Sequence, residues 1–586
     1  MADKQHMEHI RHSLAHLLAA AVLELWPETK PTIGPAIENG FYYDFEFASP
    51  ISDKDFPKIE QKMRELLKTW KSFEKIDVTP EEAKEKFKNN PYKLELIDEI
   101  VGKGEKVTLY KSGEFTDLCR GGHVENPSKD ISSNAFKLDR IAGAYWRGSE
   151  KNKMLTRIYG LAFESKEELE GYIKMQEEAE KRDHRKLGKD LGLFVFSDIV
   201  GKGLPLWTEK GATIRRELER FIVDEEIKRG YKHVYTPDIA KIDLYKKSGH
   251  YPYYKDSMYA PIKVDEEEFM LRPMTCPHHF ELYLSQPRSY RELPMRIAEL
   301  AKLYRYEQSG ELTGLIRVRS FCLADAHIIA KDPEQAADEV HKALDLIEYI
   351  AQTFGLKMGE HYWYQLSLGD RTNPDKYFKN DAAWDEAENR LREVLQKRNA
   401  HFVEAPAEAA FYGPKIDIQM KNVRGKDDTA FTVQYDFVMP ERFNLTYTDK
   451  DGLEKQPIVI HRSSIGAIER VIAFLIEHYA GNFPLWLAPV QVKVLSVRDT
   501  HNEFAQKVVE TLRKASIRVE FDGNDEGLGK KVRAAKVEKV PYWLVIGDKE
   551  VEANKVTLES RDHGQLGQIS TEELLSKLQE EIKNKK

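Results

Sequence analysis

The segment from Leu303 to Ala330, LYRYEQSGELTGLIRVRSFCLADAHIIA, constrains the fold of this chain more than any other stretch. Two apolar runs flank a polar loop with turn signals at Ser309-Gly310 and Thr313-Gly314, a pattern typical of a β-hairpin. Arg305 lies on the first predicted arm and Arg317 on the second. The two guanidinium groups would therefore face each other across one surface of the sheet. That arrangement suits a bound polyphosphate and carboxylate.

The same segment ends in Asp325-Ala326-His327, which places a carboxylate near an imidazole. It resembles motif 2 of the class II aminoacyl-tRNA synthetases, and its DAHI ending is similar to the threonyl branch of that class. Further motifs extend the resemblance to nearly the whole chain. It implies a ligase that uses ATP to activate L-threonine as threonyl-adenylate and transfers the threonine to the 3′ end of threonine tRNA.

Composition and charge limit the class of protein. A length of 586 residues predicts about three or four domains. No apolar run reaches about 18 residues and the N-terminus has no signal-peptide pattern, so we expect a cytoplasmic protein with no membrane partner. The net charge of −8 means that RNA must be bound by local basic patches. Cys119, Cys276 and Cys322 lie far apart, which favours a reducing cytosol over a disulfide framework.

Two short motifs in the N-terminal region point to a pocket. His12 and His16 are four residues apart in a strongly helical stretch and therefore share one helix face. Such a pair alone is more often surface or core histidine. Cys119 and His123 add a Cys-x-x-x-His motif in the same predicted domain, and clusters of His and Cys are typical of metal or catalytic sites.

Both motifs resemble the editing domain of threonyl-tRNA synthetases and the related alanyl-editing proteins. The resemblance implies hydrolysis of seryl-tRNA formed on threonine tRNA, with side chains that position the ester and an attacking water; whether a metal is held there stays open. The residues it assigns to this pocket are His12, His16, Asp117, Cys119 and His123. The family usually begins with a small ubiquitin-like domain. This chain starts at the editing region, so we expect that domain to be absent.

Two segments of the middle region predict connections between parts of the molecule. Residues 166–190 are charged and helix-periodic, which predicts a solvated linker helix. Its basic end, Lys181 to Lys189, could also contact tRNA phosphates. Further on, a long amphipathic helix is followed by a strand that ends at Pro237. This unit resembles class II motif 1 and implies a homodimer; the alternative is an ordinary helix–strand unit.

Cys276, His327 and His461 are distant in sequence, so their spacing gives no local metal motif. The resemblance assigns them as the ligands of one zinc ion per chain. Three protein ligands leave zinc with open positions for substrate atoms. The amino and hydroxyl groups of threonine could bind there, and Asp325 would accept a hydrogen bond from the hydroxyl.

The need for a metal follows from the chemistry of threonine. An apolar pocket separates threonine from the isosteric valine by only about 10²-fold, whereas a site that requires a hydroxyl partner rejects the deficient analogue by roughly 10⁴–10⁵. Serine keeps the hydroxyl and lacks one methyl, worth about 1–3 kcal/mol. That small difference predicts a second site that removes serine, which is the role expected of the N-terminal pocket.

The resemblance implies roles for further side chains in activation and transfer, with magnesium neutralising the charge of ATP. The residues for the nucleotide are Arg305 (substrate carboxylate and α-phosphate), Glu307 (adenine amino group), Arg317 and Arg470 (triphosphate), Phe321 (stacking on adenine) and Lys415 (phosphates). Those for threonine are Asp325, Met274, Tyr412 and Gln434. His250, in a segment predicted as an exposed loop, is the candidate for proton transfer from the tRNA ribose.

After Trp486-Leu487-Ala488-Pro489 the sequence alternates between strand and helix patterns, which predicts a small α/β domain. It resembles the anticodon-binding domain shared by threonyl, prolyl, histidyl and glycyl enzymes. The resemblance assigns Asn524, Arg533 and Glu550 to base recognition; alternatively these are ordinary surface charges.

Together these patterns predict an α+β multidomain protein. We expect an editing domain at 1–165, a linker helix at 166–190, a class II catalytic core with an antiparallel sheet at 191–487, and an α/β anticodon-binding domain at 488–586. The alternatives are another class II synthetase, such as a prolyl enzyme, or a non-catalytic RNA-binding paralogue. The candidate zinc ligands and the N-terminal pocket argue against the former. Arg305, Glu307 and Arg470 argue against the latter.

Overall fold

A computed structural model describes residues 2–308 and 310–586 of the chain. In the predicted turn at Ser309-Gly310, Ser309 lies outside the described residues. The chain divides into two compact units, of which the first ends at Glu177 and the second begins at Glu178. Within the described residues, no helix is both long and apolar enough to cross a membrane.

The first unit combines helices with two antiparallel sheets. The larger sheet has the order β1-β3-β8-β7, with β2 also paired to β3, and the smaller one has the order β4-β5-β6. The helices are α1 (Ala2–Leu25), α2 (Phe56–Thr69), α3 (Pro80–Lys86), α4 (Pro91–Gly102), α5 (Pro127–Asp130) and α6 (Lys166–Arg182), which continues into the second unit. The strands are β1 (Lys30–Pro31), β2 (Ala36–Ile37), β3 (Gly40–Glu46), β4 (Glu74–Asp77), β5 (Thr108–Ser112), β6 (Phe115–Leu118), β7 (Phe136–Tyr145) and β8 (Met154–Ala162).

Helix α1 is the central element of this unit. Apolar residues at intervals of three and four, Ile10, Leu14, Leu17 and Ala21, form one face and are all buried. That face packs on α2 and β3 around a common hydrophobic core. The predicted N-terminal helix is therefore present, and it places His12 and His16 at fixed positions on a buried scaffold.

The second unit is built on an eight-stranded sheet with the order β11-β15-β16-β23-β20-β19-β17-β18. Its helices are α7 (His184–Asp190), α8 (Glu209–Lys228), α9 (Ile242–Ser248), α10 (His250–Tyr253), α11 (Cys276–Leu284), α12 (Pro333–Thr353), α13 (Asp381–Lys397), α14 (Met439–Phe443) and α15 (Ile468–His478). The strands up to residue 467 are β9 (Phe194–Val195), β10 (Leu206–Trp207), β11 (Lys232–His233), β12 (Ile239–Lys241), β13 (Ile262–Val264), β14 (Glu267–Leu271), β15 (Met295–Tyr304), β16 (Ser320–Ala330), β17 (Tyr362–Ser367), β18 (Phe402–Ala405), β19 (Lys415–Lys421), β20 (Asp427–Asp436), β21 (Tyr447–Thr448), β22 (Glu454–Lys455) and β23 (Ile458–Ala467).

The sheet is antiparallel except where β11 joins β15 and β17 joins β18. Buried apolar residues of α12 and α15, such as Ile347 and Ile472, cover one face of it and form the main core with Ile328 and Ile460. The pairing of residues between neighbouring strands brings several of the predicted site residues together. His327 of β16 pairs with His461 of β23, which in turn pairs with Gln434 of β20.

The C-terminal part of this unit carries its own five-stranded sheet, β25-β24-β26-β27-β28, in which the first three strands are parallel. Its strands are β24 (Val492–Ser496), β25 (Val519–Asp522), β26 (Tyr542–Ile546), β27 (Val556–Ser560) and β28 (Gly564–Ile569). Its helices are α16 (Asn502–Lys514), α17 (Leu528–Val537), α18 (Asp548–Ala553) and α19 (Thr571–Lys583). The predicted fold class, including the small α/β domain and the antiparallel catalytic sheet, is confirmed.

The hairpin predicted for residues 303–330 is present as an antiparallel pair, but the start of its second arm, residues 315–319, is not a strand. Strands β15 and β16 pair antiparallel from Met295 and Ile329 to Tyr304 and Ser320. Residues 315–319 are not strand, because Gly314 has a left-handed backbone (φ +47°) and Thr313 instead bridges Arg317 locally. Arg305 and Arg317 consequently lie in the connecting loop.

A buried ion pair ties α8 to β23. Arg462 donates from Nη1 to Oε1 of Glu226 (2.6 Å) and lies over the ring of Tyr231, while Glu226 also accepts from Ser464 and lies 2.8 Å from Nε2 of His233. Both charged side chains are almost fully buried. Removal of one partner would leave the other charge without compensation in a dry interior.

We expect Arg462→Met to lower the free energy of unfolding by about 3–5 kcal/mol, as measured by urea denaturation, because Glu226 is left buried and unpaired. The double variant Glu226→Gln/Arg462→Met should recover much of this loss. The matched control is Arg392→Met, whose ion pair with Glu404 is partly exposed and should be worth about 1 kcal/mol or less. Equal effects at the two arginines would contradict the assignment.

Candidate active sites

A cleft of about 660 Å³ opens over the sheet of the second unit. It gathers side chains from α10, α11, β16, β20, β23, α15 and the loops between them. The predicted residues that line it are His250, Met274, Cys276, Arg305, Glu307, Arg317, Phe321, Asp325, His327, Tyr412, Gln434, His461 and Arg470. Lys415 is not part of this lining; it forms an ion pair with Asp417 on the same strand.

Three of these side chains converge on one point. Cys276 is the first residue of α11, and His327 and His461 face each other across β16 and β23. One ligand atom from each lies within 4.8 Å of the others, and all three residues are buried. The structure therefore brings together the set that sequence spacing could not connect.

Hydrogen bonds fix which nitrogen of His461 is free. Its Nε2 lies 2.6 Å from Oδ2 of Asp436, a buried carboxylate that also accepts from the backbone N–H groups of Val438 and Met439 through Oδ1. A carboxylate can only accept here, so Nε2 carries the proton. The lone pair of His461 is consequently on Nδ1.

A second relay fixes His327. Nε2 of His279 lies 3.2 Å from Oε2 of Glu299, and Nδ1 of His279 lies 2.8 Å from Nδ1 of His327. Because His279 donates to the carboxylate, its Nδ1 accepts, and His327 must donate from its own Nδ1. This leaves Nε2 of His327 as the free lone pair. Burial opposes ionisation of Glu299, but hydrogen bonds from His279 and Thr236 outweigh it and lower its pKa to about 2.

The donor set fits a zinc ion. One thiol and two imidazole lone pairs are ligands that zinc prefers, and each imidazole is oriented by a second hydrogen bond, as is usual at metal sites. Burial raises the pKa of the Cys276 thiol and of the neighbouring Asp325 carboxyl, and the charge of Asp325 raises the pKa of Cys276 further. Burial likewise lowers the pKa of His327, which keeps it in the neutral form that binds metals. A bound dication would compensate this crowding of acidic groups.

One end of the cleft lies beside this cluster. Tyr412 stacks on His461 at 5.1 Å between ring centroids and donates to Oε1 of Gln434. Arg305 lies over the ring of Phe321 (5.3 Å) and is half-buried, and this burial lowers its pKa. A guanidinium held in this way needs an anionic partner, which a substrate carboxylate or phosphate could supply.

The other end of the cleft carries the arginine side chains Arg305, Arg317 and Arg470. Arg470 donates to the carbonyl oxygens of Ile316 (3.2 Å) and Thr429 (3.1 Å), and within the described residues neither it nor Arg305 has a carboxylate within ion-pairing distance. Burial lowers the pKa of Arg470, and Arg305 and Arg317 lower it further. Such a group of cations favours an anionic ligand.

His250 departs from its prediction as an exposed loop residue. It is buried at the start of α10, because Gly249 ends α9 in a left-handed conformation (φ +79°) and turns the chain inward. Its Nδ1 lies 2.8 Å from the hydroxyl of Ser248. Burial, with the nearby His461, lowers the pKa of His250 to about 3, so the imidazole is neutral at physiological pH.

The first unit contains a separate pocket of about 410 Å³. Helix α1 supplies His12 and His16, and the loop after β6 supplies Cys119 and His123, with one ligand atom from each within 4.8 Å of the others. Sγ of Cys119 lies 3.3 Å from Nε2 of His123 and 3.5 Å from Nε2 of His12. Gly121 and Gly122 form the loop with positive φ angles, which only glycine adopts easily.

Asp117 lies at the buried end of this pocket and holds a network that sequence reasoning missed. It accepts from the hydroxyl of Tyr43 and pairs with Nζ of Lys93, and its carboxylate lies 3.5 Å from Nδ1 of His16. Lys93 is only 1% exposed. A single lysine in a charged helix and a tyrosine in an aromatic strand carry no sequence signal of a shared partner more than twenty residues away.

The cluster is electrically neutral at physiological pH apart from the Lys93–Asp117 pair. Burial lowers the pKa of His12, His16 and His123. Burial also raises the pKa of Cys119 to about 11. The thiol is therefore protonated near pH 7 and suits a positioning role rather than that of a thiolate nucleophile.

The residues predicted to read the anticodon differ in exposure. Asn524 follows β25 and Arg533 lies on α17, and both are exposed. Glu550 is buried on α18, and its carboxylate accepts hydrogen bonds from Thr557, Gln568 and the backbone N–H of Gly547. Asn524 and Arg533 are free to meet a ligand from solvent, whereas Glu550 is already engaged within its own domain.

Comparisons with known proteins agree across the chain. Residues 259–479 match the family model of the tRNA synthetase class II core domain (G, H, P, S and T), residues 490–581 match the anticodon binding domain, and residues 107–159 match the threonyl and alanyl tRNA synthetase second additional domain. Threonine–tRNA ligase of Staphylococcus carnosus (strain TM300) is 49% identical over 99% of this chain and 89% of its own. That of Geobacillus sp. (strain WCH70) is 48% identical over 98% and 88%.

Solved structures give the same result. The RNA binding domain of threonyl-tRNA synthetase from Cryptosporidium parvum Iowa II superposes with a TM-score of 0.64 at 37% identity, covering 68% of this chain and 98% of that one. A putative threonyl-tRNA synthetase, ThrRS-1, from Aeropyrum pernix gives 0.62 at 29% identity, covering 69% and 96%.

The raised pKa of Cys119 can be measured by alkylation. We expect the rate of reaction with iodoacetamide, followed by mass spectrometry of the Cys119 peptide, to rise about tenfold per pH unit from pH 7 to beyond pH 9, because only the thiolate reacts. In the urea-unfolded chain the same peptide should level off near the ordinary thiol pKa of about 8.5. A plateau near pH 8 in the folded protein would refute the assignment.

Proposed function

The chain belongs to the threonine–tRNA ligases, and on that premise we propose that Cys276, His327 and His461 hold one zinc ion through which the enzyme recognises threonine. The predicted family and activity are confirmed: the protein is an ATP-dependent class II ligase that charges tRNA and carries a proofreading domain. A prolyl enzyme and a non-catalytic paralogue are accordingly set aside.

The single observation that carries the zinc proposal is the convergence of three buried donors with their tautomers fixed by Asp436 and His279. When bound, the ion would offer open positions that the amino and hydroxyl groups of threonine can occupy together and that valine, which lacks the hydroxyl, cannot. Asp325 lines the same cleft, and we propose that it accepts a hydrogen bond from that hydroxyl. Tyr412, Gln434 and Met274 are proposed to enclose the rest of the side chain.

Activation is proposed to depend on position and charge. Arg305 would hold the threonine carboxylate against the α-phosphate, and Arg317 and Arg470 would hold the β- and γ-phosphates of a bent ATP. Glu307 would accept from the adenine amino group while Phe321 stacks on the base. Magnesium is expected to neutralise the charge that remains on the triphosphate. The carboxylate then attacks the α-phosphorus in line, and pyrophosphate leaves.

The two remaining nucleotide and transfer residues are proposed with narrower roles. Lys415 would act from the edge of the cleft, where release from Asp417 could bring its charge to the phosphates. His250 is proposed to assist proton transfer from the tRNA ribose hydroxyl by accepting a hydrogen bond from it. Its pKa of about 3 makes it a neutral hydrogen-bond acceptor rather than a strong base.

The N-terminal pocket is proposed to hydrolyse seryl-tRNA. His12, His16, Cys119 and His123 would position the ester and a water molecule in their neutral forms. Asp117 is proposed to orient His16 while its own charge is balanced by Lys93. Serine passes the first selection because it retains the hydroxyl, and the missing methyl is worth only about 1–3 kcal/mol.

We further propose the domain limits 1–165, 166–190, 191–487 and 488–586. In the last of these domains Asn524 and Arg533 would read anticodon bases, and Glu550 would shape the local loop.

A homodimer is proposed because exposed apolar side chains cluster just before α8, namely Val195, Phe196, Ile199, Val200 and Leu206. A cytoplasmic location is supported by the free state of all three cysteines, two of them buried.

The function is tested by threonine-dependent pyrophosphate exchange together with metal analysis. We expect about one zinc per chain, exchange with threonine, weaker exchange with serine and almost none with valine. Cys276→Ser should lose most of the zinc and the preference for threonine. A fully active, metal-free wild-type protein would disprove the zinc proposal while leaving the family assignment intact.

The orientation of His327 provides a separate test. His279→Phe removes the acceptor for His327 Nδ1 and should weaken zinc binding about 10–100-fold, measured by competition with a chelator. The matched control is His278→Phe. That neighbouring histidine is buried, and neither ring nitrogen has a hydrogen-bond partner among the described residues, so zinc affinity should change little. Equal losses in both variants would indicate a general disturbance of α11 instead.

A further inference from the structure

His184, the first residue of α7, is a buried histidine that none of the roles above uses. It lies in the basic end of the segment predicted as a solvated linker. The residue as a whole is 1% exposed. A histidine placed there by a charged, water-facing helix pattern would be expected at the surface, so its burial calls for a specific partner.

The imidazole has two partners, one on each nitrogen. Nδ1 lies 2.7 Å from Oε1 of Glu477, which also accepts the backbone N–H of His184 at 3.2 Å. Nε2 accepts the backbone N–H of Leu315 at 3.1 Å. A backbone N–H can only donate, so Nε2 is unprotonated and Nδ1 carries the proton that it donates to Glu477. His184 is therefore held as one neutral tautomer.

These partners belong to the two elements that carry the proposed phosphate ligands. Leu315 precedes Arg317 by two residues in the loop between β15 and β16, and Glu477 lies on α15, the helix that also carries Arg470. Nε of Arg470 itself donates to the carbonyl of Ile316 in that loop. His184 thus links the loop of one arginine to the helix of the other.

The loop passes very close to the imidazole. Gly314 has a φ of +47°, and a Cβ atom at that position would lie 2.1 Å from Nε2 of His184. The loop has no regular secondary structure of its own in its described residues from 310 to 319, apart from the bridge between Thr313 and Arg317. The hydrogen bond from the backbone of Leu315 therefore acts together with the burial of the Leu315 side chain in the main core to fix the loop over the cleft.

A metal site is the alternative use of this histidine, because Asp183, His184 and Glu477 place ligand atoms within 4.8 Å of one another. The contacts argue against it. Both nitrogens of His184 are engaged, and the carboxylate of Asp183 caps α7 and pairs with Arg185. A second guanidinium, that of Arg424, lies 3.6 Å from the same carboxylate. Two guanidinium groups occupy the place that a cation would need.

We propose that His184 is a positioning residue for ATP: by joining Leu315 to Glu477 it fixes the separation of Arg317 and Arg470 before the nucleotide arrives. The inference rests on the proposed roles of these two arginines. A loop that is already ordered loses less conformational freedom when ATP binds, so the contact increases affinity for ATP without touching it. Threonine binds at the other end of the cleft and gains nothing from it.

Two amide substitutions separate the two halves of the link. Asn has its amide at the position of Nδ1, so His184→Asn can still donate to Glu477 but cannot reach Leu315. Gln has its amide oxygen at the position of Nε2, so His184→Gln can still accept from Leu315. One lost hydrogen bond corresponds to a change of about 2–10-fold.

We expect His184→Asn to raise the KM for ATP in pyrophosphate exchange by that factor and to leave the KM for threonine unchanged. His184→Gln should keep the KM for ATP near the wild-type value. Both variants should lower the thermal midpoint, since each loses one contact, so a purely structural role would shift both KM values together. An equal rise in the KM for ATP in the two variants, or no rise in His184→Asn, overturns the inference.

Two further variants complete the design. Arg317→Gln tests the premise: if it leaves the KM for ATP unchanged, the proposed role of Arg317 fails, and if it raises that KM while His184→Asn does not, only the role of His184 fails. Gly314→Ala displaces the loop from the imidazole in a chain that retains His184, and it should also raise the KM for ATP selectively. A thermal midpoint of the wild type that rises with added divalent metal, and does not rise in His184→Asn, would favour the metal site instead.

Discussion

Antiparallel pairing sets His327, His461, Gln434 and Lys415 in one row across four neighbouring strands, and the catalytic unit is arranged around that row. Residues directly opposite each other in such a sheet point to the same face. The covered face is packed with aliphatic side chains from α12 and α15, so the register cannot slip by one residue without exposing that core. The hydrophobic face thereby determines the position of the polar groups on the other side.

Around this row, buried hydrogen-bond partners engage one ring nitrogen of each histidine and leave the other nitrogen available as a ligand. Asp436 and His279 each fix one histidine, and Arg272 and Thr236 hold Glu299 behind His279. Full satisfaction of these buried groups gives rigidity, because a partly satisfied network in a low-dielectric interior is costly. The same logic recurs at Asp117 in the first unit and at His184 in the second. In each case a buried side chain with two partners orients a third group.

Sequence patterns predicted the long helix α1, the strand–helix alternation of the C-terminal sheet and the pairing of β15 with β16, because each depends on local periodicity. They could not connect Cys276, His327 and His461, which come from three elements and share no spacing; only the family resemblance joined them. Residues 315–319 were wrongly predicted as strand, because their alternation of apolar and basic side chains is also the pattern of a half-exposed β-strand. The burial of His250 and His184 depends on tertiary partners, which no local pattern records.

The hydrophobic cores of the two units have no residue in common among those that the structure describes. Each unit therefore depends on its own apolar contacts for cooperative folding. A lesion confined to the core around α1 would leave a ligase that still charges tRNA at its normal rate but no longer discards serine. In cells such a variant would place serine at threonine codons, so the lesion would appear as a loss of accuracy in protein synthesis.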